Sequence, residues 1–423
     1  MHAERWGLLW LVWTWSGCAL KSPGSFISRR DAALALIAAA PPALPVELSD
    51  SGPVTEFSVV KDVLRYGESP DQYADLWYLS GHEGTGPRPV IAFLHGGFWR
   101  EQYNLSNMRR LQSDALRQLP GVVTLNIEYR RGRGSVVDAC SDVVSALSAL
   151  KRVPDLADTR RVALIGHSAG GHLAMWAALR GSPAARPLLE AMALPTGGIG
   201  GSKLPPLRCV VSVGGCLDLK EARARNLGNG AVDDFLQGLQ GPGTAPSLAT
   251  FPLPRQRQDL PLDLQQAASP IDLLPPALTS SQRTQPEWEG CGDWQTSLQQ
   301  TQLALVHGQQ DDLVPRDFST RFTVTAAAGG IPVSYYQIKQ EGHFEILRSR
   351  SRSWTVARQF ISDSLGETSA STSSPDVYCE PARPLQMLPT ERTETSEELL
   401  IRTKWRCASS PSDPRFNSNS SPA

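Results

Sequence analysis

Neither sign of charge prevails in this chain. Its 423 residues carry 41 Lys and Arg against 42 Asp and Glu, a net charge of −1. Such a balance offers no basic face to nucleic acid and no electrostatic hold on a membrane surface. Cysteine is scarce and scattered: seven residues, from Cys18 to Cys407, with no Cys-x-x-Cys pair. That spacing argues against a disulfide framework and against a zinc site, while single disulfides stay open. There is no internal repeat. The apolar run Trp6–Trp15, with four tryptophans, is ten residues long, too short to cross a bilayer as a helix. The sequence carries no signature of oligomeric state. What remains is an ordinary globular composition, 41% hydrophobic and 20% charged, and a length sufficient for one large domain with extensions or two small domains.

The first 45 residues read as an address and stand apart from the fold. Trp6–Trp15 has the length of a signal-peptide core, ending near Gly17-Cys18-Ala19. Arg29-Arg30 then precedes a second run of small apolar residues, Ala32 to Ala40, in the manner of a twin-arginine signal. Lying internally, it resembles the second half of a bipartite plastid transit peptide. The expectation is plastid routing, with the thylakoid lumen included, or secretion; the alternative is a leader with no sorting role and a cytoplasmic protein. No stable membrane span is expected in the mature chain.

Residues 46–366 alternate strand-length apolar runs with helical patterns. Val90–Leu94, Val122–Ile127, Val162–Ile165, Cys209–Val213, Leu303–Val306 and Val333–Ile338 are the predicted strands. Val137, Cys140, Val144, Leu147 and Leu150 recur every three or four residues, a helix face. Further helices are predicted from Phe318 to Ala328 and from about Phe344 to Leu365. Repeated strand–helix units with continuously apolar strands imply an α/β fold, a mostly parallel central sheet with helices on both faces. Two polar, proline-bearing insertions, about 240–265 and 275–300, interrupt the pattern as surface loops or part of a cap. From 367 to 423 Ser, Thr, Pro and Glu prevail, the composition of a disordered tail.

Chemistry enters at Gly166-His167-Ser168-Ala169-Gly170, between the apolar run ending at Ile165 and the helical pattern from His172. A serine on so tight a strand–turn–helix link is pushed out of the sheet at a helix N-terminus. Its hydroxyl needs a base, and the base a carboxylate to orient it. Both follow in the order serine, acid, histidine. Asp311 lies just after the strand Leu303–Val306, three residues beyond Gly308; Asp312 is the alternative acid, and either aspartate could instead cap the next helix, expected to start at Val314-Pro315. His343 lies between the last strand and the last helix. An oxyanion hole could come from Ala169 N–H and from His95-Gly96-Gly97-Phe98-Trp99-Arg100, with Gly96, Gly97 and Phe98 as the residues facing substrate. His95, His167 and His172 read as structural. Phe98 and Trp99 read equally as walls of an aryl-binding pocket or as core residues bracing the loop.

His95-Gly96-Gly97-Phe98-Trp99 and Gly166-His167-Ser168-Ala169-Gly170-Gly171-His172 resemble the kynurenine formamidase (arylformamidase) and related esterase branch of the α/β-hydrolases. Tyr66 to Leu76, Asn126 to Arg130 and His343-Phe344-Glu345 match as well, so the resemblance spans roughly residues 54–365. It implies a serine hydrolase with no metal or organic cofactor, acting on a small-molecule ester or N-formyl amide. In that reading Ser168 is nucleophile, Asp311 orients, His343 is base then acid, and Gly97, Phe98 and Ala169 donate to the oxyanion. The chain departs from the hormone-sensitive-lipase branch, which has His-Gly-Gly-Gly where this sequence has His95-Gly96-Gly97-Phe98. General carboxylesterase, thioesterase or peptidase activity, and lastly a non-catalytic ligand-binding relative, stand as alternatives.

Overall fold

In a computed structural model of the protein, the described residues are 58–81, 86–192, 204–237, 262–277, 294 and 298–366. The leader expected at 1–45, the tail expected at 367–423 and most of both expected polar insertions lie outside them.

The β3 strand Arg88–Leu94 shows how the sheet is built. Every residue in it is buried, and its side chains alternate between two cores. Val90, Ala92 and Leu94 enter one core, Ile91 and Phe93 the other. This is the pleat of a strand covered on both faces, which explains its uninterrupted apolar sequence. The same alternation holds in β5 (Ala157–His167), β6 (Leu207–Val213) and β7 (Gln302–Gly308), where Leu164, Val210 and Leu305 face the first core and Ile165, Val211 and Val306 the second.

β1 (Val59–Arg65), β2 (Tyr73–Leu79), β4 (Val123–Ile127) and β8 (Val333–Ile338) complete an eight-stranded sheet among the described residues. The order is β1-β2-β4-β3-β5-β6-β7-β8. β1 pairs β2 and β2 pairs β4 antiparallel; from β4 through β8 every pairing is parallel. The first core receives α2 (Val136–Ala149), α3 (Ala169–Leu179) and α4 (Asp317–Ala328); the second receives α1 (Arg109–Gln118) and α5 (Arg352–Leu365). No helix among the described residues is long and apolar enough to cross a membrane.

Two predicted helix starts move. The last helix begins at Arg352 instead of Phe344, because Ser351 caps it: its hydroxyl accepts the Trp354 N–H at 3.0 Å. Glu341 takes the Arg352 and Ser353 N–H groups at 2.7 and 3.1 Å. Glu345–Leu347 is a separate 3₁₀ turn, ended by the extended backbone of Arg348 (φ −93°, ψ 124°). Likewise α4 starts at Asp317, after Val314-Pro315.

Candidate active site

Ser168 occupies the turn between β5 and α3 with φ 55° and ψ −116°. That left-handed conformation is costly for a residue with a Cβ and is held by its surroundings. Its N–H donates to the Val213 carbonyl of β6 at 2.8 Å. Two residues on, α3 passes so close to β3 that a Cβ on Gly170 would lie 2.2 Å from the Leu94 carbonyl oxygen, so only glycine fits.

Asp311 follows β7. Its Oδ1 accepts the N–H groups of Leu313 and Val314 at 3.1 and 2.9 Å, which fixes the carboxylate plane. Its Oδ2 lies 2.7 Å from His343 Nδ1. A carboxylate only accepts, so Nδ1 carries the proton and Nε2 keeps a lone pair. It is thus Asp311, not the exposed Asp312, that meets His343. Neither aspartate caps α4, whose N-cap is Arg316. Burial alone would raise the Asp311 carboxyl, but His343 and His307 outweigh it and hold the group well below the usual carboxylate range.

The His343 loop is tied on both sides. The Gly342 N–H donates to Glu345 Oε2 at 2.8 Å, and the His343 carbonyl accepts from His167 Nε2 at 2.7 Å. Burial, with His343 beside it, pushes His167 down to about 3, so this ring is a neutral donor. His167 is structural, as the sequence suggested, but what it supports is His343 itself. The serine and the Asp311–His343 pair are joined through β6. Val213 bonds Ser168, and a Cβ on the next residue, Gly214, would stand 3.1 Å from Asp311 Oδ2 and 3.3 Å from His343 Nδ1.

The loop after β3 reaches the same end of the sheet. A Cβ on Gly96 would sit 3.0 Å from the Ser168 Cβ. Gly97, Phe98 and Trp99 have φ of 124°, 53° and 54°, three left-handed residues in succession. Among the described residues the N–H groups of Gly97, Phe98 and Ala169 have no backbone partner. His95 anchors this loop. Its Nε2 donates to Glu128 Oε1 at 2.9 Å, its ring stacks on Tyr129 at 4.3 Å, and Tyr129 Oη donates to its carbonyl at 2.8 Å. Glu128 also accepts from Leu105 N–H and Arg131 Nη1. Burial would raise its carboxyl, but His95 and Arg131 bring it below the ordinary value.

Trp99 is 2% exposed, stacks on Phe235 at 4.3 Å and meets His172 edge-on at 5.1 Å. It braces the loop, and with Phe98 and Phe235 it also walls a cleft of about 350 Å³. His172 is fully buried, bonded to the Ala268 carbonyl and pushed by burial to about 4, which makes it a packing residue. Local sequence pattern alone assigns no role to Glu128 and Tyr129, which lie in the matching stretch Asn126–Arg130. Their position after β4, at the sheet end that also carries the serine, was the available signal.

The sequence model described as the alpha/beta hydrolase family matches residues 91–352. Among curated proteins, a probable isoprenylcysteine alpha-carbonyl methylesterase of Arabidopsis thaliana is 33% identical over 118 residues, 27% of this chain and 24% of that protein. A non-reducing polyketide synthase of Penicillium brasilianum is 33% identical over 159 residues, 34% of this chain and 6% of that protein. The matched region is thus about a quarter or less of each of these relatives. Among solved structures, esterase B of Lactobacillus rhamnosis superposes with a TM-score of 0.52 at 17% identity, covering 80% of this chain and 91% of that one. At that identity the likeness is one of fold.

Proposed function

The chain belongs to the alpha/beta hydrolase family, and from that premise we propose that it is a serine hydrolase cleaving a small-molecule carboxylic ester or N-formyl amide. The observation that carries the reading is the 2.7 Å bond from His343 Nδ1 to Asp311, which leaves Nε2 as a base at the end of the sheet that carries Ser168. Ser168 Oγ attacks the substrate carbonyl while its proton passes to His343 Nε2. The tetrahedral oxyanion is held by the N–H groups of Ala169, Gly97 and Phe98, and Gly96 allows the loop its approach. His343 returns the proton to the departing alcohol or amine. Water, deprotonated by the same nitrogen, then releases the acid and regenerates Ser168.

Two substrate classes divide the reading. Kynurenine formamidase-like chemistry is supported by the His95–Trp99 and Gly166–His172 motifs and by the aromatic cleft wall of Phe98, Trp99 and Phe235. Methyl ester hydrolysis is supported by the likeness to the probable isoprenylcysteine alpha-carbonyl methylesterase of Arabidopsis thaliana. The assay sets N-formylkynurenine beside a prenylcysteine methyl ester and p-nitrophenyl acetate, with wild type and Ser168→Ala. Formamide turnover lost in Ser168→Ala supports the first class, and methyl ester turnover the second. Cleavage of p-nitrophenyl acetate alone leaves a general carboxylesterase. If wild type turns over none of the three and Ser168 takes no fluorophosphonate label, the hydrolase reading fails. Plastid or secretory routing is likewise a proposal, tested by following a fluorescent fusion of the full chain with and without residues 1–45.

A further inference from the structure

His343 is not the only imidazole on Asp311. His307, the sixth residue of β7 and fully buried, brings its Nε2 to 3.2 Å from Asp311 Oδ2, the same oxygen that His343 contacts. The same Nε2 lies 2.8 Å from the Val314 carbonyl oxygen. Carbonyl and carboxylate oxygens accept and never donate, so the proton must sit on Nε2; a lone pair there would face two oxygens. On the other side of the ring, Nδ1 lies 2.7 Å from Ser319 Oγ on α4, a hydroxyl that is itself buried. With Nε2 protonated, neutral His307 accepts the Ser319 hydroxyl proton at Nδ1. The two oxygens thus fix the tautomer and Ser319 completes it at Nδ1; the Nε2–H donates to the Val314 carbonyl and faces Asp311 Oδ2 at 3.2 Å.

We propose that His307, fixed in its Nε2–H form by the oxygens of Val314 and Asp311 and steadied at Nδ1 by Ser319, is a positioning residue that sets the orientation and basicity of Asp311 toward His343. The proposal rests on the hydrolase reading for its consequence in turnover, and on geometry alone for the bond itself. The groups facing the Asp311 carboxylate are the N–H donors of Leu313 and Val314 at Oδ1 and the two imidazoles at Oδ2. Removing one donor from Oδ2 leaves more negative charge for His343 to balance, so the imidazolium formed in catalysis holds its proton more tightly. A ring that merely filled space would need Val314 and Ser319 but would not bring its Nε2–H within 3.2 Å of the oxygen that His343 uses.

Three variants of the full chain test this: Ser319→Ala, which removes the hydroxyl that steadies the ring at Nδ1 with little change of volume; His307→Leu, which removes the donor; and His307→Gln, which restores an amide N–H near Nε2. The expected result is a kcat lower by about tenfold in Ser319→Ala and His307→Leu, the scale of one hydrogen bond to a charged group. KM should stay within about twofold, the acid limb of the kcat profile should move to higher pH, and His307→Gln should recover at least half of the loss. Unchanged kcat and pH profile in Ser319→Ala and His307→Leu overturn the proposal. If His307→Leu does not fold, Ser319→Ala decides. A second readout does not depend on turnover: selectively ¹⁵N-histidine-labelled protein, with the downfield Nδ1–H proton of His343 followed by NMR. A shift of that proton in Ser319→Ala supports the proposal, and an unmoved one overturns it. An inactive wild type with a shifted proton would sink the hydrolase reading while leaving the His307–Asp311 coupling intact.

Discussion

Glu128 Oε1 stands 2.9 Å from His95 Nε2, so a buried carboxylate after β4 holds the first residue of the loop that carries Gly96, Gly97 and Phe98. The same carboxylate receives Arg131, whose side chain is 9% exposed. Removing Glu128 takes the nearer carboxylate from Arg131, which keeps Asp71 at 3.6 Å and the Tyr129 carbonyl at 2.8 Å, and strips the buried partner from His95 and the Leu105 N–H, at a cost of about 1–3 kcal/mol. Glu128→Ala should therefore lower the urea midpoint, with the slope unchanged. At temperatures where the variant is folded, kcat should still fall about tenfold or more, because the loop amides lose their anchor.

Ser168 holds φ 55° with a Cβ. Ser168→Gly relieves that backbone strain while Ser168→Ala keeps it. The glycine variant is expected to be more stable than the alanine variant by about 1 kcal/mol. Both should lose fluorophosphonate labelling. Parallel thermal scans and labelling gels check the pair, and equal stability would mean that the turn is unstrained.

Gly214 is where a side chain would strike both partners of the acid–base pair, 3.1 Å from Asp311 Oδ2 and 3.3 Å from His343 Nδ1, at φ 54°. Gly214→Ala should cost about 1 kcal/mol of stability from the left-handed backbone. It should lower kcat well beyond that by displacing His343 from Asp311. Asp311→Asn, which keeps the shape and removes the charge, should reduce kcat by on the order of 10⁴ if His343 must hold its Nδ1–H tautomer. Steady-state kinetics against circular dichroism melts separate the two effects.

Acid should destabilise the fold well before its carboxylates protonate. His167, held at about 3, and His172, held at about 4, stay neutral in the native protein. In the unfolded chain histidine titrates near 6.5. Between these values the unfolded state binds more protons, so stability rises with pH. The contribution is complete above about pH 6.5 and is lost as pH falls, by up to ~1.4 kcal/mol per pH unit for each ring. Urea unfolding at pH 7, 6 and 5 should show that decline, and His172→Gln should flatten it by one proton.

The strands buried on both faces were legible because their apolar runs are unbroken, as in Val90–Leu94 and Leu303–Val306. β1, with Lys61 and Asp62 mid-strand and Val63 exposed, lies at the sheet edge, where the apolar pattern fades. α1 escaped notice because Arg109, Arg110, Gln112 and Ser113 dilute its apolar face. Ser168, Asp311 and His343 were readable because each sits on a glycine-bearing turn after a strand. The supports were not. His167 and His343 are 176 residues apart in sequence, and His307, which approaches Asp311 at 3.2 Å, meets Ser319 of α4 on its other side. Such roles are decided by contacts that no local spacing encodes.

The chain order of the sheet has a consequence for biosynthesis. Residues from β1 to β6 can pair with one another and form the Ser168 turn, yet Asp311 and His343 leave the ribosome only with the last strands. On the proposed serine-hydrolase reading, the hydroxyl gains its base only when β7 and β8 dock, so the nascent chain is expected to be chemically silent toward its neighbours in the cell. In that reading reactivity arrives with completion of the sheet, and a chain truncated before β8 is expected to expose an inert serine instead of an uncontrolled hydrolase.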